Sequence, residues 1–276
     1  MAGTTRRQVS RLTLGETPVT RADTLAVEEP LELRVGGQVL TVTMRTPGAD
    51  MDLLAGFLVA EGLIRVREDL PTMAYCAGKD ESGRNRYNVL EATLAPHLPP
   101  LPPVAARVSL TTSACGLCGS ASIDAVRKLT PYDLAADSVT VDPAWLSTLP
   151  DRLRAAQQVF ERTGGLHAAA LFDPVGDQLI AVREDVGRHN AVDKVIGWAL
   201  REDRLPLTGT VLMVSGRASF ELTQKAAIAG IPVMAAVSAP SSLAVDLAAE
   251  VGLTLVGFVR GASMVVYTHA TRLTPQ

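Results

Sequence analysis

Between residues 166 and 268, short apolar runs alternate with segments of helical period, and this rhythm constrains the fold more than any other feature. LHAAALF and QLIAV flank the turn DPVGD and predict a hairpin. After REDVGRH, the residues Val192, Val195, Ile196, Ala199 and Leu200 fall on one helical face. GTVLMVS then predicts a buried strand, SFELTQKAAIAG a helix, IPVMAAVS a strand, SSLAVDLAAEVG a helix, LTLVGFVR a strand and SMVVYT a last strand. Apolar strands separated by helices imply an α/β fold whose mostly parallel sheet is covered by helices on both faces.

The first part of the chain has a different pattern. Residues 1–22 are polar and aperiodic, and a loose tail is expected there. LELRVGGQVLTVTMR (31–45) holds two alternating runs around Gly36-Gly37, a hairpin signal. A helix is expected from about Asp50 with Gly62 as its C-cap, and a strand within RYNVLEATL (86–94). Five prolines within residues 96–103 exclude helix and central strand. They predict a stiff connector between a smaller N-terminal α+β domain (23–105) and an α/β domain (106–276).

The formal net charge of −3 argues against general binding to nucleic acid or to a membrane surface. Aromatic residues at 4% leave little for a stacking platform. The arginines in MAGTTRRQVSRLTLGETPVTRAD are followed by no apolar core, so no secretory leader is expected. Three cysteines are too few for a disulfide framework, and the expectation is a cytoplasmic protein.

In open α/β sheets, ligands bind beyond the carboxyl ends of the strands. Those ends carry Arg183, Ser215-Gly216-Arg217, Ser238 with Ser241-Ser242, and Arg260-Gly261. Arginine forks and helix N-termini suit phosphate or pyrophosphate, although neither a Walker loop nor a GxGxxG motif is present. One arginine alone would more often be a surface ion-pair partner. Three at equivalent positions favour an anionic ligand. REDVGRHNAVDK (183–194) gathers Arg188, His189 and Asn190 into a dense polar stretch, where a helix N-cap at His189 or Asn190 is the plainer explanation. His167, at the head of a strand, is more often a structural residue than a ligand-binding one.

SACGLCGSA (113–121) places Cys115 and Cys118 in a CxxC pair. A structural zinc site needs four ligands, and Cys76 with His97, His167, His189 and His269 offers no metal spacing to the pair. No metal is expected. Zinc deaminase chemistry would need HxE and PCxxC, but residue 114 is alanine and no HxE occurs. A thioredoxin-type pair would follow an aromatic, whereas Ser113-Ala114 precede this one. Glycines and hydroxyl residues around the pair suit an accessible thiolate, and a helix expected from Ser120 would lower the thiol pKa. Sulfur carrier and redox pair both remain open on this chemistry.

Taken in order, CGLCG (115–119), TGGLHAAAL (163–171), REDVGRHNAVDKVIG (183–197), SGRASFELTQKAAIAGIP (215–232), SAPSSLAV (238–245) and GFVRG (257–261) with YTH (267–269) resemble the FdhD family. These are the formate dehydrogenase accessory sulfurtransferases. Ser241 stands where the family pattern has threonine, and Cys76 matches no motif and reads as a buried cysteine. The resemblance implies a deaminase-like fold and a sulfurtransferase acting as a homodimer. A cysteine desulfurase would supply sulfur as a persulfide on Cys115, with Cys118 assisting or resolving. The sulfur would pass to the molybdenum cofactor in its bis(molybdopterin guanine dinucleotide) form, for which a guanine nucleotide is a mimic, and so serve formate dehydrogenase. The loop Phe258, Val259, Arg260, Gly261, Ala262 and Ser263 would hold that cofactor with the strand-end residues. Two other readings are a non-catalytic cofactor chaperone and a zinc or redox enzyme of deaminase-like fold.

Overall fold

The computed structural model describes residues 3–76, 78, 87–101 and 130–275. Its first element corrects an expectation. Residues 1–22, read as a loose tail, contain strand β1 (Thr4–Arg11) and the start of β2 (Val19–Ala26), paired antiparallel from Thr4↔Ala26 to Arg11↔Val19. Both faces of this ribbon are largely exposed, so it carries no apolar alternation for sequence reading to detect.

Strands β3 (Glu29–Val35) and β4 (Gln38–Arg45) form the expected hairpin. Gly36 and Gly37 have φ of 55° and 79°, the pair of left-handed residues that a tight primed turn needs. Strand β6 (Val89–Thr93) pairs parallel to β3, and β5 (Thr72–Tyr75) antiparallel to β6, giving a sheet of order β4-β3-β6-β5. Helix α1 (Asp50–Ala60) follows, and its end turns at Gly62, whose N–H donates to the Val59 carbonyl. Cys76, just after β5, is half-buried, not fully enclosed as expected.

Helix α2 (Pro143–Ala156) starts on an Asp142 cap, whose carboxylate accepts from the Ala144 N–H, with proline in the first turn. Helix α3 (Gln158–Thr163) follows directly. Strands β7 (His167–Asp173) and β8 (Gln178–Asp185) form the predicted hairpin and lead into helix α4 (Arg188–Arg201). Then come β9 (Val211–Val214), α5 (Phe220–Ile228), β10 (Val233–Ala236), α6 (Ser242–Val251), β11 (Thr254–Arg260) and β12 (Ser263–Val266).

The six-stranded sheet has the order β12-β11-β10-β9-β7-β8 and is mixed, which corrects the expectation of a mostly parallel one. Only β9, β10 and β11 run parallel to one another, through helical crossovers. Strand β7 lies antiparallel to both β8 and β9, and β12 turns back on β11, because hairpins reverse the chain at both sides.

Side chains of the central strands alternate between two buried layers. Leu212, Val214, Met234 and Ala236 face the layer that includes α1, α4 and α5, whereas Val211, Met213, Val233 and Ala235 face Leu146, Leu149 and Leu153 of α2. The first layer also contains Leu31, Leu33 and Leu90, so residues on either side of the proline-rich stretch share one core. Its prolines do not divide that core, since Leu98 and Leu101 themselves pack against it.

Helices α1 and α4 meet at backbone distance. A Cβ on Gly56 would lie 1.8 Å from the Asp193 carbonyl oxygen, and one on Gly197 would lie 1.8 Å from that of Asp52. Only glycine permits so close a crossing. It fixes α4, and with it the loop between β8 and α4, against the N-terminal half of the chain.

Candidate functional site

Strand direction decides what gathers at the carboxyl edge of the six-stranded sheet. Because β7 is antiparallel to its neighbours, its first residue, His167, pairs with Asp185 at the end of β8. Beside them, β9 ends at Val214 and leads into Ser215, Gly216 and Arg217, and β10 leads into Ser238. Strand β11 ends with Arg260. Among the described residues, His167, Ser215, Gly216, Arg217, Ser238 and Arg260 therefore meet at one edge, whereas Thr268 packs at the start of β11.

Hydrogen bonds lock these loops to one another. The Ser215 N–H donates to the Ala168 carbonyl at 3.0 Å, and the Ser215 hydroxyl accepts from the Ala168 N–H at 2.9 Å. Ala218 donates to the Ala239 carbonyl, and Ser241 donates back to Ala218, which joins the loops after β9 and β10. The Phe258 N–H donates to the Ser238 carbonyl and ties the end of β11 to the same unit. Phe258 has φ of 52°, a left-handed conformation costly for an aromatic residue, next to a register shift in the β11–β12 ladder. The turn after it, Gly261, Ala262 and Ser263, is exposed.

Helices α4, α5 and α6 all begin at this edge, capped at Gly187, Ser219 and Ser241. Their N-terminal ends present partial positive charge there. The Ser241 hydroxyl accepts from the Ala244 N–H at 3.3 Å, a role that threonine would also fill.

Not every expected site residue belongs to the edge. Arg183 lies inside β8 and forks onto Asp52 of α1, with Nη2 2.8 Å and Nε 2.9 Å from Oδ2; Arg201 pairs with the same carboxylate. It ties β8 to α1. Asn190 is likewise occupied: its amide donates to the Met44 carbonyl at 2.8 Å and to Asp185 at 3.0 Å, and its oxygen accepts from the Thr43 hydroxyl. The N-cap of α4 is Gly187, two to three residues before the expected His189 or Asn190. Val259 is wholly buried in the α2-facing core, so its side chain cannot reach a ligand.

Arg188, His167 and Gly216 are close neighbours. A Cβ on Gly216 would lie 3.3 Å from His167 Nδ1 and 3.9 Å from Arg188 Cδ, so the glycine keeps this spot open. Arg188 Nε is buried and has no hydrogen-bond partner among the described residues. Burial, then the positive charges of Arg188 and His189, hold the His167 pKa below 6.5 against the opposing pull of Asp185. His167 is therefore a neutral hydrogen-bonding group near neutral pH. His189 Nε2 pairs with Glu221 at 2.6 Å and lies 3.3 Å from the Ser219 hydroxyl. Arg217 and Arg260 are exposed, and the Arg260 guanidinium lies 5.5 Å from the Phe258 ring centroid. Cys115 and Cys118 lie outside the described residues.

Two features escaped sequence reading. One is the buried hub on Asp185, which accepts from the backbone N–H groups of Thr46 and Gly187 and pairs with Lys194 at 2.6 Å. The other is Gln157, a buried residue between α2 and α3 that belongs to no motif. What the edge can do chemically is hold an anion, through Arg188, Arg217, Arg260 and the helix N-termini.

Among the described residues no helix is long and apolar enough to cross a membrane. The family model described as the FdhD/NarQ family matches residues 26–274. A Nocardia farcinica protein named "Sulfur carrier protein FdhD" is 62% identical over 98% of this chain and 95% of its own length. A protein of the same name from Mycolicibacterium paratuberculosis is 59% identical, over 99% of this chain and all of its own. The crystal structure of a candidate formate dehydrogenase accessory protein from Desulfotalea psychrophila superposes with a TM-score of 0.75 at 21% identity, covering 99% of this chain and 100% of that one, and shows the same fold. With the motifs and the matched span in agreement, the chain belongs to the FdhD/NarQ family.

Proposed function

We propose that this chain is a sulfurtransferase that carries sulfur on its CxxC pair and delivers it to a molybdenum cofactor bearing guanine dinucleotide arms. In this reading the Cys115 thiolate attacks the outer sulfur of a desulfurase persulfide. A new S–S bond forms on Cys115, and the desulfurase cysteine leaves as thiolate. At delivery, Cys118 attacks the inner sulfur of Cys115–S–SH, which releases hydrosulfide to the cofactor as substrate and leaves a Cys115–Cys118 disulfide. A cellular thiol then reduces that disulfide for the next cycle.

The observation that carries the reading is the polar edge, where three helix N-termini and the Nε of Arg188, unpaired among the described residues, converge beside His167 and Gly216. Such an edge suits the pyrophosphate of a dinucleotide. The names of the relatives support the sulfur half. A cysteine desulfurase and formate dehydrogenase are the partners this function needs, a homodimer would match a cofactor with two arms, and the cytoplasm is the compartment that keeps the thiols reduced. The mixed sheet, a hairpin followed by three parallel strands, supports the deaminase-like kinship that the motifs imply.

The test is intact mass after incubation with a cysteine desulfurase and cysteine. Wild type should gain one sulfur, removable by reductant, and Cys115→Ala should gain none. No gain on wild type would leave the cofactor chaperone as the better reading.

A further inference from the structure

The ribbon of β1 and β2 is anchored at its base, where the Val27 N–H donates to the Gly3 carbonyl and a Cβ on Gly165 would lie 3.7 Å from that of Ala26. Further out, Val19, Thr20, Arg21 and Ala22 are all exposed. Among the described residues, no backbone N–H or C=O of β2 bonds outside the β1–β2 ladder. A two-stranded hairpin standing alone is at best marginally stable in water, and a free edge invites a further strand. The family model matches from residue 26, so the ribbon precedes the span that the family accounts for.

The sequence of β2, VTRADTLA, says what that further strand is. Read outward from Ala22 it is chemically palindromic: Arg21 balances Asp23, Thr20 balances Thr24, and Val19 balances Leu25. Two copies laid antiparallel across a twofold axis at Ala22 therefore set Arg21 against the partner's Asp23 and Val19 against the partner's Leu25, each pair formed twice. These side chains are free to pair: Arg21 and Asp23 are 48% and 44% exposed, and Val19 and Leu25 are 59% and 40% exposed. Alternate residues of a strand share a face, so all four stand on one side of the sheet. The 3.7 Å ion pair between Arg21 and Asp23 of each copy then becomes half of an alternating cluster of four charges. A shift by two residues would set Arg21 against the partner's Arg21, or Asp23 against the partner's Asp23, so charge selects this one register. Strand β1, TTRRQVSR, carries three arginines and no acid, so the opposite edge of the ribbon has no such match with itself.

We infer that β2 is a self-recognition edge, through which two copies of this chain join their ribbons, antiparallel about Ala22, into one sheet of order β1-β2-β2-β1. The proposed function calls for a homodimer. This inference gives that homodimer a surface and a register, and it rests on the ribbon alone.

Sedimentation of the full-length protein at micromolar concentration tests it. Wild type should be a dimer, and Arg21→Asp, which sets acid against acid at both charge pairs, should weaken dimerisation about tenfold. Arg6→Asp makes the same change of charge on β1, opposite Thr24 and away from the pairing edge, and should leave the dimer as it is. Ala22→Cys probes the axis itself. Directly opposed residues of antiparallel strands have Cα atoms about 4.5–5.5 Å apart, within disulfide reach, so oxidation with diamide should link two chains through position 22. The mass of the linked peptide separates this product from any formed by Cys76, Cys115 or Cys118. A monomeric wild type, a dimer weakened equally by Arg21→Asp and Arg6→Asp, or no link at position 22 would overturn the inference. A dimer that both charge variants leave intact would sink this inference only, because sulfur transfer is read separately by the mass gain from the desulfurase. Should Arg21→Asp fail to fold, the link at position 22 decides alone.

Discussion

The segment from Arg183 to Lys194 serves two regions that treat their polar groups in opposite ways. At the crossing of α1 and α4, the charged side chains are matched: Arg183 to Asp52, Lys194 to Asp185, and Asp193 to Lys225 at 2.7 Å. At the sheet edge a few residues away, Arg188 keeps a buried Nε without a partner among the described residues, and Arg217 and Arg260 stand exposed. A buried charge is tolerated when it is paired and hydrogen-bonded. A buried polar group without a partner among the described residues, as at Arg188 in the first turn of α4, is where the proposed function puts a ligand. On that proposal the same twelve residues are half scaffold and half site.

The scaffold half should break hardest. Lys194→Met leaves Asp185 as an uncompensated charge at zero exposure and should lower unfolding stability by about 3–5 kcal/mol, read from denaturant curves. Adding Asp185→Asn should recover part of that loss. Gly56→Ala drives a methyl into the Asp193 carbonyl and should cost about 2–3 kcal/mol, although alanine is ordinarily the better helix former. A smaller effect is expected at the site. Because the His167 pKa is lowered from 6.5, the unfolded chain takes up this proton first as pH falls. Its contribution to stability is complete above pH 6.5 and is lost as pH drops through the lower folded value. His167→Gln should therefore flatten the decline of Tm below pH 6.5.

What sequence reading captured and missed follows from the range of the forces involved. The Gly36-Gly37 hairpin and the alternation of β9, α5, β10, α6 and β11 are local patterns, and the structure reproduces both. Strand direction is not local. That β7 runs antiparallel beside β9 depends on how the β7–β8 hairpin docks, and this docking brings His167 to the edge. Arg183 looked like a site residue because its partner, Asp52, lies 131 positions away and no spacing rule connects them. The β1–β2 ribbon lacks a buried face, and Gln157 lacks a motif, so neither left a periodic or chemical signature. Helix α2 did leave one, the Asp142-Pro143 start, which the apolar rhythm further along overshadowed.

The division between scaffold and site is tested most directly by one paired measurement, the affinity for GDP and the Tm of Arg183→Ala and Arg188→Ala. Arg188→Ala should lose about tenfold in affinity at an unchanged Tm, while Arg183→Ala should melt earlier and bind GDP as wild type does. The opposite assignment, or both effects in both variants, would contradict it.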